Sequence, residues 1–329
     1  MATLPRKLVL LLFLGGSTIS ERGRAGETVA KAKDIDPWMR QMSEMDIIAD
    51  TKGVFISSGT STIGLPEWVN VAETIRQHYA DIDGVVVIHQ IETIRAAAMA
   101  LSLMFHHLGK PIVLVGSPLL SPAERAAGLT GNRALTGGEA AAKASFINAV
   151  QVAVSDVGEV VVIFGSHMYR GLSLARDPEG PTGKLTGVIL GKIDFGIRFF
   201  GQQIRRSSQQ LRVRSKFDSK VTVVEYLPGT DLNHLVSMAR GAHGVFLSSP
   251  EPGAIAMPMI TRLAATLGSK IPIVLYMPGS KFLATAANVI PASGPTRTAT
   301  LLRFMWALGQ GSSMVEYRKL MRQPKGGSV

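Results

Sequence analysis

Residues 84–95, Gly-Val-Val-Val-Ile-His-Gln-Ile-Glu-Thr-Ile-Arg, decide the fold of this chain. The uninterrupted apolar run Gly84–Ile88 is typical of a strand that is buried on both faces, as in a parallel sheet. A helix-forming stretch rich in Ala, Leu and Met follows at Glu92–Leu108. The junction between them is therefore expected at the carboxyl edge of a parallel sheet, where folds of this kind bind ligands.

The same alternation of strand and helix runs through the first two-thirds of the chain. Further apolar runs of strand length are Leu8–Leu14, Gly53–Ser57, Ile112–Gly116 and Val160–Gly165. Further helix-forming stretches are Trp68–Tyr79 and Gly138–Val154. This alternation predicts an α/β fold with right-handed crossovers, in which helices cover both faces of a parallel sheet.

A second, smaller alternating unit follows towards the carboxyl terminus. Its predicted elements are the strands Val221–Tyr226, Gly244–Leu247 and Ile271–Tyr276 and the helices Asn233–Arg240, Pro258–Gly268 and Thr298–Leu308. Between Asp177 and Lys220 the rhythm is broken, first by Pro and Gly and then by a basic Gln-Ser-Arg segment, which indicates a linker that can contain a hairpin. We therefore predict two α/β domains, residues 1–195 and 221–329, joined by a basic linker at 196–220.

The charge balance indicates anionic partners or surfaces. The 329 residues carry 35 Lys and Arg against 24 Asp and Glu, so the net charge is 35 − 24 = +11. The densest basic runs are Arg205–Lys216 and Arg318–Lys325. Neither run is interleaved with aromatic residues as a nucleic-acid platform would be, so a solvated basic face is favoured over a nucleic-acid partner.

Several classes of site are excluded by composition. The chain has no cysteine, which excludes thiol catalysis and disulfides. The seven histidines form no metal pattern, and neither a phosphate-binding loop nor a dinucleotide fingerprint is present, so no metal and no cofactor is expected. The run Leu8–Leu14 before Gly15 fits either a short signal peptide or a buried first strand, and the strand is favoured because the run is short. No segment approaches the ~18–20 apolar residues of a membrane span, and the expected protein is soluble and cytoplasmic.

Hydroxyl and glycine residues follow the predicted strands. The turn from Gly15 to Thr18 can supply a nucleophile, or it can be a turn that needs small residues. The Ser- and Thr-rich stretch 57–62 can hold a small polar or anionic ligand, or it can form turns and cap the next helix. His89 can pair with Glu92 for acid–base work, but a packed histidine that is hydrogen-bonded to the backbone is favoured.

The order of these segments resembles the L-asparaginase family, especially its type I cytoplasmic branch, over nearly the whole chain. The matching stretches are Leu14-Gly15-Gly16-Ser17-Thr18-Ile19, Gly59-Thr60 with Glu67-Trp68, His89-Gln90-Ile91-Glu92-Thr93, Leu108-Gly109-Lys110-Pro111, Val115-Gly116-Ser117, Asn148-Ala149, Arg170-Gly171, Leu227-Pro228-Gly229-Thr230-Asp231 and Met305–Gln310. The resemblance implies the two-domain α/β fold, a homodimer or homotetramer whose neighbours complete each site, and a small-molecule ligand.

The resemblance also implies where chemistry would take place. In that family one threonine attacks the side-chain amide, and a second threonine works with it, activated through a lysine beside an aspartate. The corresponding positions here are Thr18, Ile91, Arg176 and Glu92 respectively. Ile91 has no hydroxyl, and Arg176 stays protonated and cannot share a proton. The additional methylene of Glu92 displaces its carboxylate by ~1 Å, which costs about a hundredfold where positioning matters.

The substrate-holding positions are altered as well. The family's serine corresponds to Thr60 and its neighbouring aspartate to Gly59. In the family the segment after the first strand usually places a tyrosine over the site, but residues 19–35 contain no tyrosine. The residues left as candidates for ligand binding are Ser58, Thr60, Ser61, His89 and Ser117. The leading hypothesis is that amide hydrolysis is weak or lost. The cleft would then bind a small anionic ligand, an amino acid or a dicarboxylate, or the scaffold would serve assembly.

Two alternatives stay open at this point. The chain can be an active amidohydrolase with Thr18 as nucleophile and Glu92 or His89 as base. It can also be a subunit of an RNA-associated complex, since one branch that resembles the asparaginases is an amidotransferase subunit acting on charged transfer RNA.

Overall fold

The computed structural model describes residues 5–14, 18–19, 27–28, 31–40, 42–57, 63–90, 93–117, 139–176, 185–194, 196–227, 229–249, 255, 257–277, 286–292, 294 and 296–322. The chain forms two compact units, Met1–Arg214 and Ser215–Val329. Each unit is built around a sheet of its own with helices packed against it.

The first unit contains fourteen of the described strands and four of the described α-helices. The strands are β1 Leu8–Leu14, β2 Thr18–Ile19, β3 Glu27–Thr28, β4 Asp50–Ser57, β5 Gly84–Gln90, β6 Phe105–His106, β7 Ile112–Ser117, β8 Val160–Phe164, β9 His167–Arg170, β10 Ala175–Arg176, β11 Leu185–Thr186, β12 Ile189–Ile193, β13 Ile197–Phe199 and β14 Arg212–Val213. The helices are α1 Ile35–Arg40, α2 Leu65–His78, α3 Ile94–Met104 and α4 Glu139–Ala153, with 3-10 turns at Ala32–Asp34, Ser43–Ile47 and Gly171–Ser173.

An eight-stranded sheet forms the centre of this unit, with the strand order β13-β12-β9-β8-β7-β5-β1-β4. The five strands from β8 to β4 are parallel, and β9, β12 and β13 continue the sheet antiparallel. The predicted α/β class is therefore confirmed. The hairpin β12–β13 lies in the segment 177–220, where a linker with a hairpin was considered. Strand β9 was not predicted, because it is short and mixes polar with apolar residues.

The core explains why the apolar runs form strands. Along β1 the alternate residues Val9, Leu11 and Phe13 join one core cluster, and the intervening leucines are equally buried. Trp38 of α1 packs edge-on against Phe13 and against Phe146 of α4, with ring centroids 5.0 and 5.4 Å apart. Burial on both faces is what an uninterrupted apolar run requires.

The basic segment 196–220, predicted to be a linker, is largely incorporated into the first unit. Residues 197–199 form β13 of the central sheet, and residues 212–213 form β14, which pairs with β6. The apolar side chains of Ile204, Leu211 and Val213 are half-buried, so the segment is anchored despite its high Arg, Gln and Ser content. The compact unit accordingly ends at Arg214 rather than at residue 195.

The second unit is a smaller α/β layer structure. Its strands are β15 Val221–Glu225, β16 Gly244–Ser248, β17 Ile273–Tyr276 and β18 Val289–Ala292, and its helices are α5 Leu232–Ala239, α6 Met257–Leu267, α7 Arg297–Gln310 and α8 Met314–Met321. The four strands are parallel in the order β15-β16-β17-β18. Helices α5 and α6 pack on one face, and α7 packs on the other.

Candidate functional site

The ends of four neighbouring strands define the candidate site. Parallel strands β4, β1, β5 and β7 lie side by side and end at Ser57, Leu14, Gln90 and Ser117. In the register, Leu14 lies beside Ser57 and Gln90 lies beside Ser117. The chain segments that follow these strands therefore all leave the sheet at its carboxyl edge, as the sequence predicts for a ligand site.

The structure describes these predicted site residues to different extents. Ser58, Thr60, Ser61, Ile91 and Glu92 lie outside the described residues, as do the side chains of Thr18, Ser117 and Arg176. The backbone of Thr18 belongs to β2, which pairs with β3, and that of Arg176 belongs to β10, which pairs with β11. His89 is described in full.

His89 is held on both sides of its ring at the carboxyl end of β5. The residue is 0% exposed. The indole nitrogen of Trp68 donates a hydrogen bond to Nε2 of His89 over 3.0 Å. Nδ1 of His89 lies 2.8 Å from the carbonyl oxygen of Gln90 and must therefore carry the ring proton. Burial lowers the pKa of His89 to about 4, against the smaller opposing effect of the hydrogen bond to Gln90.

This arrangement limits what His89 can do chemically. Its lone pair at Nε2 is already engaged by Trp68, and its proton at Nδ1 is engaged by the backbone. At neutral pH the ring is uncharged, so it offers an anionic ligand no positive charge. The contacts match a packed histidine that is hydrogen-bonded to the backbone, rather than a general base or a ligand-binding group.

The hydrogen-bond partner of His89, Trp68, was not predicted from the sequence. Trp68 lies in the first turn of α2, whose start is marked by Pro66 and by Glu67, which accepts a hydrogen bond from the backbone of Gly64 over 2.8 Å. Trp68 and His89 are 21 residues apart in sequence. The contact is tertiary and has no local sequence signal. The only available clue is general: the N–H of a buried tryptophan needs an acceptor.

Thr93 is a further residue of interest at this edge. It is the N-cap of α3 and follows Ile91 by two positions, but its hydroxyl makes no capping hydrogen bond. Its Oγ1 is buried and has no hydrogen-bond partner among the residues that the structure describes. Buried hydroxyls normally find a partner, which makes Thr93 a candidate contact for a ligand.

Two further classes of site can be assessed for the described part of the chain. It contains no group of three or more His, Asp or Glu residues placed to hold a metal ion. No helix among the same residues has the length and apolarity needed to cross a bilayer.

Comparison with known families decides the relationship that these features indicate. The family described as "Asparaginase, N-terminal" matches residues 8–176, about half of the chain. The chain belongs to the asparaginase family. The resemblance predicted from the sequence motifs is thereby confirmed at the level of the family.

Individual relatives fall into two groups. The glutamyl-tRNA(Gln) amidotransferase subunits D of Methanosarcina acetivorans and Pyrococcus abyssi are 24% and 25% identical to this chain, each over 98% of it and over 78% and 76% of their own length. L-asparaginase 1 of Escherichia coli is 33% identical, over 32% of this chain and 27% of its own.

Solved structures give the same fold. L-asparaginase I of Vibrio cholerae superposes with a TM-score of 0.77 at 20% identity and 99% coverage of both chains. The thermostable L-asparaginase of Thermococcus kodakarensis gives a TM-score of 0.72 at 20% identity, with 98% of this chain and 99% of that chain covered. At this level of identity the superpositions confirm the predicted fold and leave the chemistry to the residues at the site.

Proposed function

We propose that this asparaginase-family protein has weak or no activity on the asparagine amide, and that the carboxyl edge of its first sheet binds a small anionic ligand. The observation that carries the proposal is the residue that follows β5. This strand lies between β1 and β7 and ends at Gln90, so the next residue in the chain is Ile91. An isoleucine side chain has no oxygen that can attack, donate or relay a proton.

Two other positions support the loss of hydrolysis. Arg176 would replace the lysine that activates a threonine, and a guanidinium stays protonated near neutral pH. His89 is no substitute base, because both of its ring nitrogens are hydrogen-bonded and its pKa lies at about 4. The hydroxyl of the second threonine and the proton relay would therefore both be missing, and these are two separate losses of catalytic function.

The predicted ligand class follows from the polar groups that remain. Hydroxyls at Thr18, Ser58, Thr60 and Ser61, together with the guanidinium of Arg176, favour a carboxylate. Gly59 in place of an aspartate leaves an amino-acid ammonium without its acidic partner. Calorimetric titration with succinate, L-aspartate and L-asparagine should therefore show the tightest binding for succinate. A preference for L-asparagine would contradict this assignment.

The active amidohydrolase is the rival function, and ammonia release from L-asparagine distinguishes it. The comparison needs the native chain and Thr18→Ala, because Thr18 is the one nucleophile position that keeps a hydroxyl. Turnover that disappears in Thr18→Ala would establish the rival function. We also propose a homodimer or homotetramer in the cytoplasm, and light scattering on the purified protein tests the assembly.

A second candidate function is a part in an RNA-associated assembly. It is favoured by the relatives named as subunits of a glutamyl-tRNA(Gln) amidotransferase, which match 98% of the chain, and by the net charge of +11. Binding to a transfer RNA transcript that weakens with rising salt supports this function. No detectable binding at 50 mM salt would exclude it.

A further inference from the structure

Residues 200–214 run along the edge of the first sheet that lies opposite the candidate site. Ile204 accepts a hydrogen bond from the backbone of Gly158, just before β8, over 2.8 Å. The backbone nitrogen of Ser207 donates to Leu108, before β7, over 2.9 Å. The guanidinium of Arg206 donates to the carbonyl of Asp83, before β5, over 3.1 Å. We call residues 200–214 the amino-edge strip, since each contact precedes a parallel strand.

The amino-edge strip is fixed to the sheet rather than loosely attached. A Cβ atom on Gly158 would lie 2.5 Å from the carbonyl oxygen of Arg205, and one on Gly109 would lie 2.8 Å from that of Ser207. Glu159 accepts hydrogen bonds from the backbone of Ile204 and from Nε of Arg170, both over 2.7 Å. The strip thus has a defined path that the surrounding residues are built to accept.

The strip carries basic and neutral polar side chains but no acidic ones. It contains four Arg, four Gln and two Ser but neither Asp nor Glu, at Arg205, Arg206, Arg212, Arg214, Gln202, Gln203, Gln209, Gln210, Ser207 and Ser208. Arg206 is turned inward to backbone carbonyls. Arg205 and Arg212 are exposed and form neither an ion pair nor a hydrogen bond through their side chains with any described residue. The carboxylates that precede the parallel strands at this edge, which include Asp81, Asp83, Asp156 and Glu159, lie outside the strip.

An aromatic side chain stands at the start of the strip. Phe200 is 51% exposed and is linked by its backbone nitrogen to the carbonyl of Leu190 over 2.8 Å. Arg198, two residues earlier in β13, is also exposed, and its ion pair with Asp194 is long at 3.8 Å. The basic run that begins at Arg205 contains no aromatic residue of its own. The structure places Phe200 on the same edge.

We propose that the amino-edge strip binds the phosphodiester backbone of RNA, with Arg205 and Arg212 at phosphates and Phe200 against a base. Planar guanidinium groups match phosphate oxygens in a bidentate manner, and Gln and Ser hydrogen-bond to phosphate and sugar. An exposed ring beside cationic groups is the usual platform for an unpaired base. The inference rests on the second candidate function and is independent of what the carboxyl edge binds.

An acidic protein or a membrane is a poorer match for this surface. Apart from the short strand β14 the strip is irregular, with bends at Gly201 and Gln209, so it is not an amphipathic helix. Its aliphatic residues Ile204, Leu211 and Val213 are half-buried against the unit. Its exposed arginine and glutamine side chains offer cationic and neutral hydrogen-bonding groups to a chain of phosphates. The alternation of exposed Gln210 and Arg212 with half-buried Leu211 and Val213 fixes which side chains face outward.

The test is fluorescence anisotropy of the full-length chain with a labelled transfer RNA transcript and a 15-nucleotide oligouridylate, from 50 to 200 mM salt. The test variant is Arg205→Gln/Arg212→Gln. The matched control is Arg40→Gln/Arg262→Gln, which removes two exposed arginines elsewhere and gives the same net charge. Each phosphate contact contributes about 0.7 to the salt slope for single strands, so the test variant should lose about 1.4. Its Kd at 100 mM salt should rise about tenfold, and that of the control less than about twofold.

The outcomes separate this inference from the function on which it rests. If the native chain does not bind RNA, both fail. If it binds RNA and the test variant binds equally well, or the control weakens as much, only the strip assignment fails. Stronger binding of polyglutamate than of oligouridylate by the native chain would also overturn the strip assignment, in favour of an acidic protein partner.

Two further variants keep the test valid if removal of the arginines affects folding. Gln209→Glu/Gln210→Glu adds two carboxylates at exposed positions of the strip and should weaken RNA binding by repulsion. Phe200→Leu should weaken binding to oligouridylate while leaving the salt slope unchanged, because stacking releases no counterions. Unchanged RNA affinity in both variants would overturn the proposal.

Discussion

The histidine at the end of β5 should make the stability of the first unit depend on pH in a defined window. His89 has a pKa of about 4 in the folded chain, against 6.5 as its ordinary value. Above pH 6.5 the imidazole is neutral in both the folded and the unfolded chain. As the pH falls from about 6.5 to about 4, the unfolded chain takes up a proton that the folded chain does not, so the free energy of unfolding decreases.

The size of this effect follows from the two pKa values. A difference of about 2.5 pH units corresponds to about 3 kcal/mol when it is fully developed, and about 2 kcal/mol of it is reached between pH 7 and pH 4.5. Removal of the imidazole in His89→Gln should abolish this component, since a glutamine does not titrate.

Urea unfolding between pH 7 and pH 4.5 measures the effect, with His234→Gln as the control. His234 is exposed on α5 of the second unit, so its replacement also removes one imidazole but from a different environment. Between these pH values the native chain and the control should lose about 2 kcal/mol more than His89→Gln. Equal losses in all three proteins would refute the assignment, as would a His89 ring that titrates near pH 6.5 by ¹⁵N NMR.

Two further predictions concern the residues that anchor the amino-edge strip, and both are measured by urea unfolding at pH 7. Glu159→Gln removes the negative charge that faces the largely buried guanidinium of Arg170 and should cost about 3 kcal/mol, whereas Glu73→Gln in an exposed pair should cost much less. Equal costs would contradict the buried pair. Gly158→Ala should destabilise by about 2 kcal/mol because its Cβ meets two carbonyl oxygens at 2.5 Å, whereas Gly196→Ala meets nothing within 4 Å and should be tolerated. A fully stable Gly158→Ala would show that the strip is not fixed as described.

The sequence predicted the fold where one physical signal dominated. The first strand was predicted at Leu8–Leu14, and the structure has the same bounds. Seven apolar residues in a row, too few for a membrane span, favour a strand buried on both faces. The helices α2 and α4 were predicted within a few residues of their observed ends. Because the predicted strands are parallel, the sequence alone was enough to predict that the strand ends Ser57, Gln90 and Ser117 lie at one edge of the sheet.

Most of the rest depended on tertiary contacts that the sequence does not encode locally. Helix α8 is an exception, because its start carries a local signal that the sequence prediction passed over: Ser313 is its N-cap and accepts a hydrogen bond from the backbone of Glu316 over 3.3 Å. Arg303 of α7 donates to carbonyls at the end of α8 over 3.3 and 3.4 Å. The segment 196–220 was predicted to be a linker, and its incorporation into the first unit was missed because its anchors, Glu159 and Gly158, lie more than forty residues earlier in the chain. The hydrogen bonding of His89 was likewise missed, because its partner Trp68 lies 21 residues earlier in the chain.

Ammonia release from L-asparagine by the purified native chain tests the central claim most directly. L-asparaginase 1 of Escherichia coli is the positive control, and Thr18→Ala in this chain is the matched negative control. Since loss of one member of a catalytic set costs about 10⁴-fold or more, the native chain should fall at least that far below the positive control and equal Thr18→Ala. Turnover that approaches the positive control and disappears in Thr18→Ala would contradict the account.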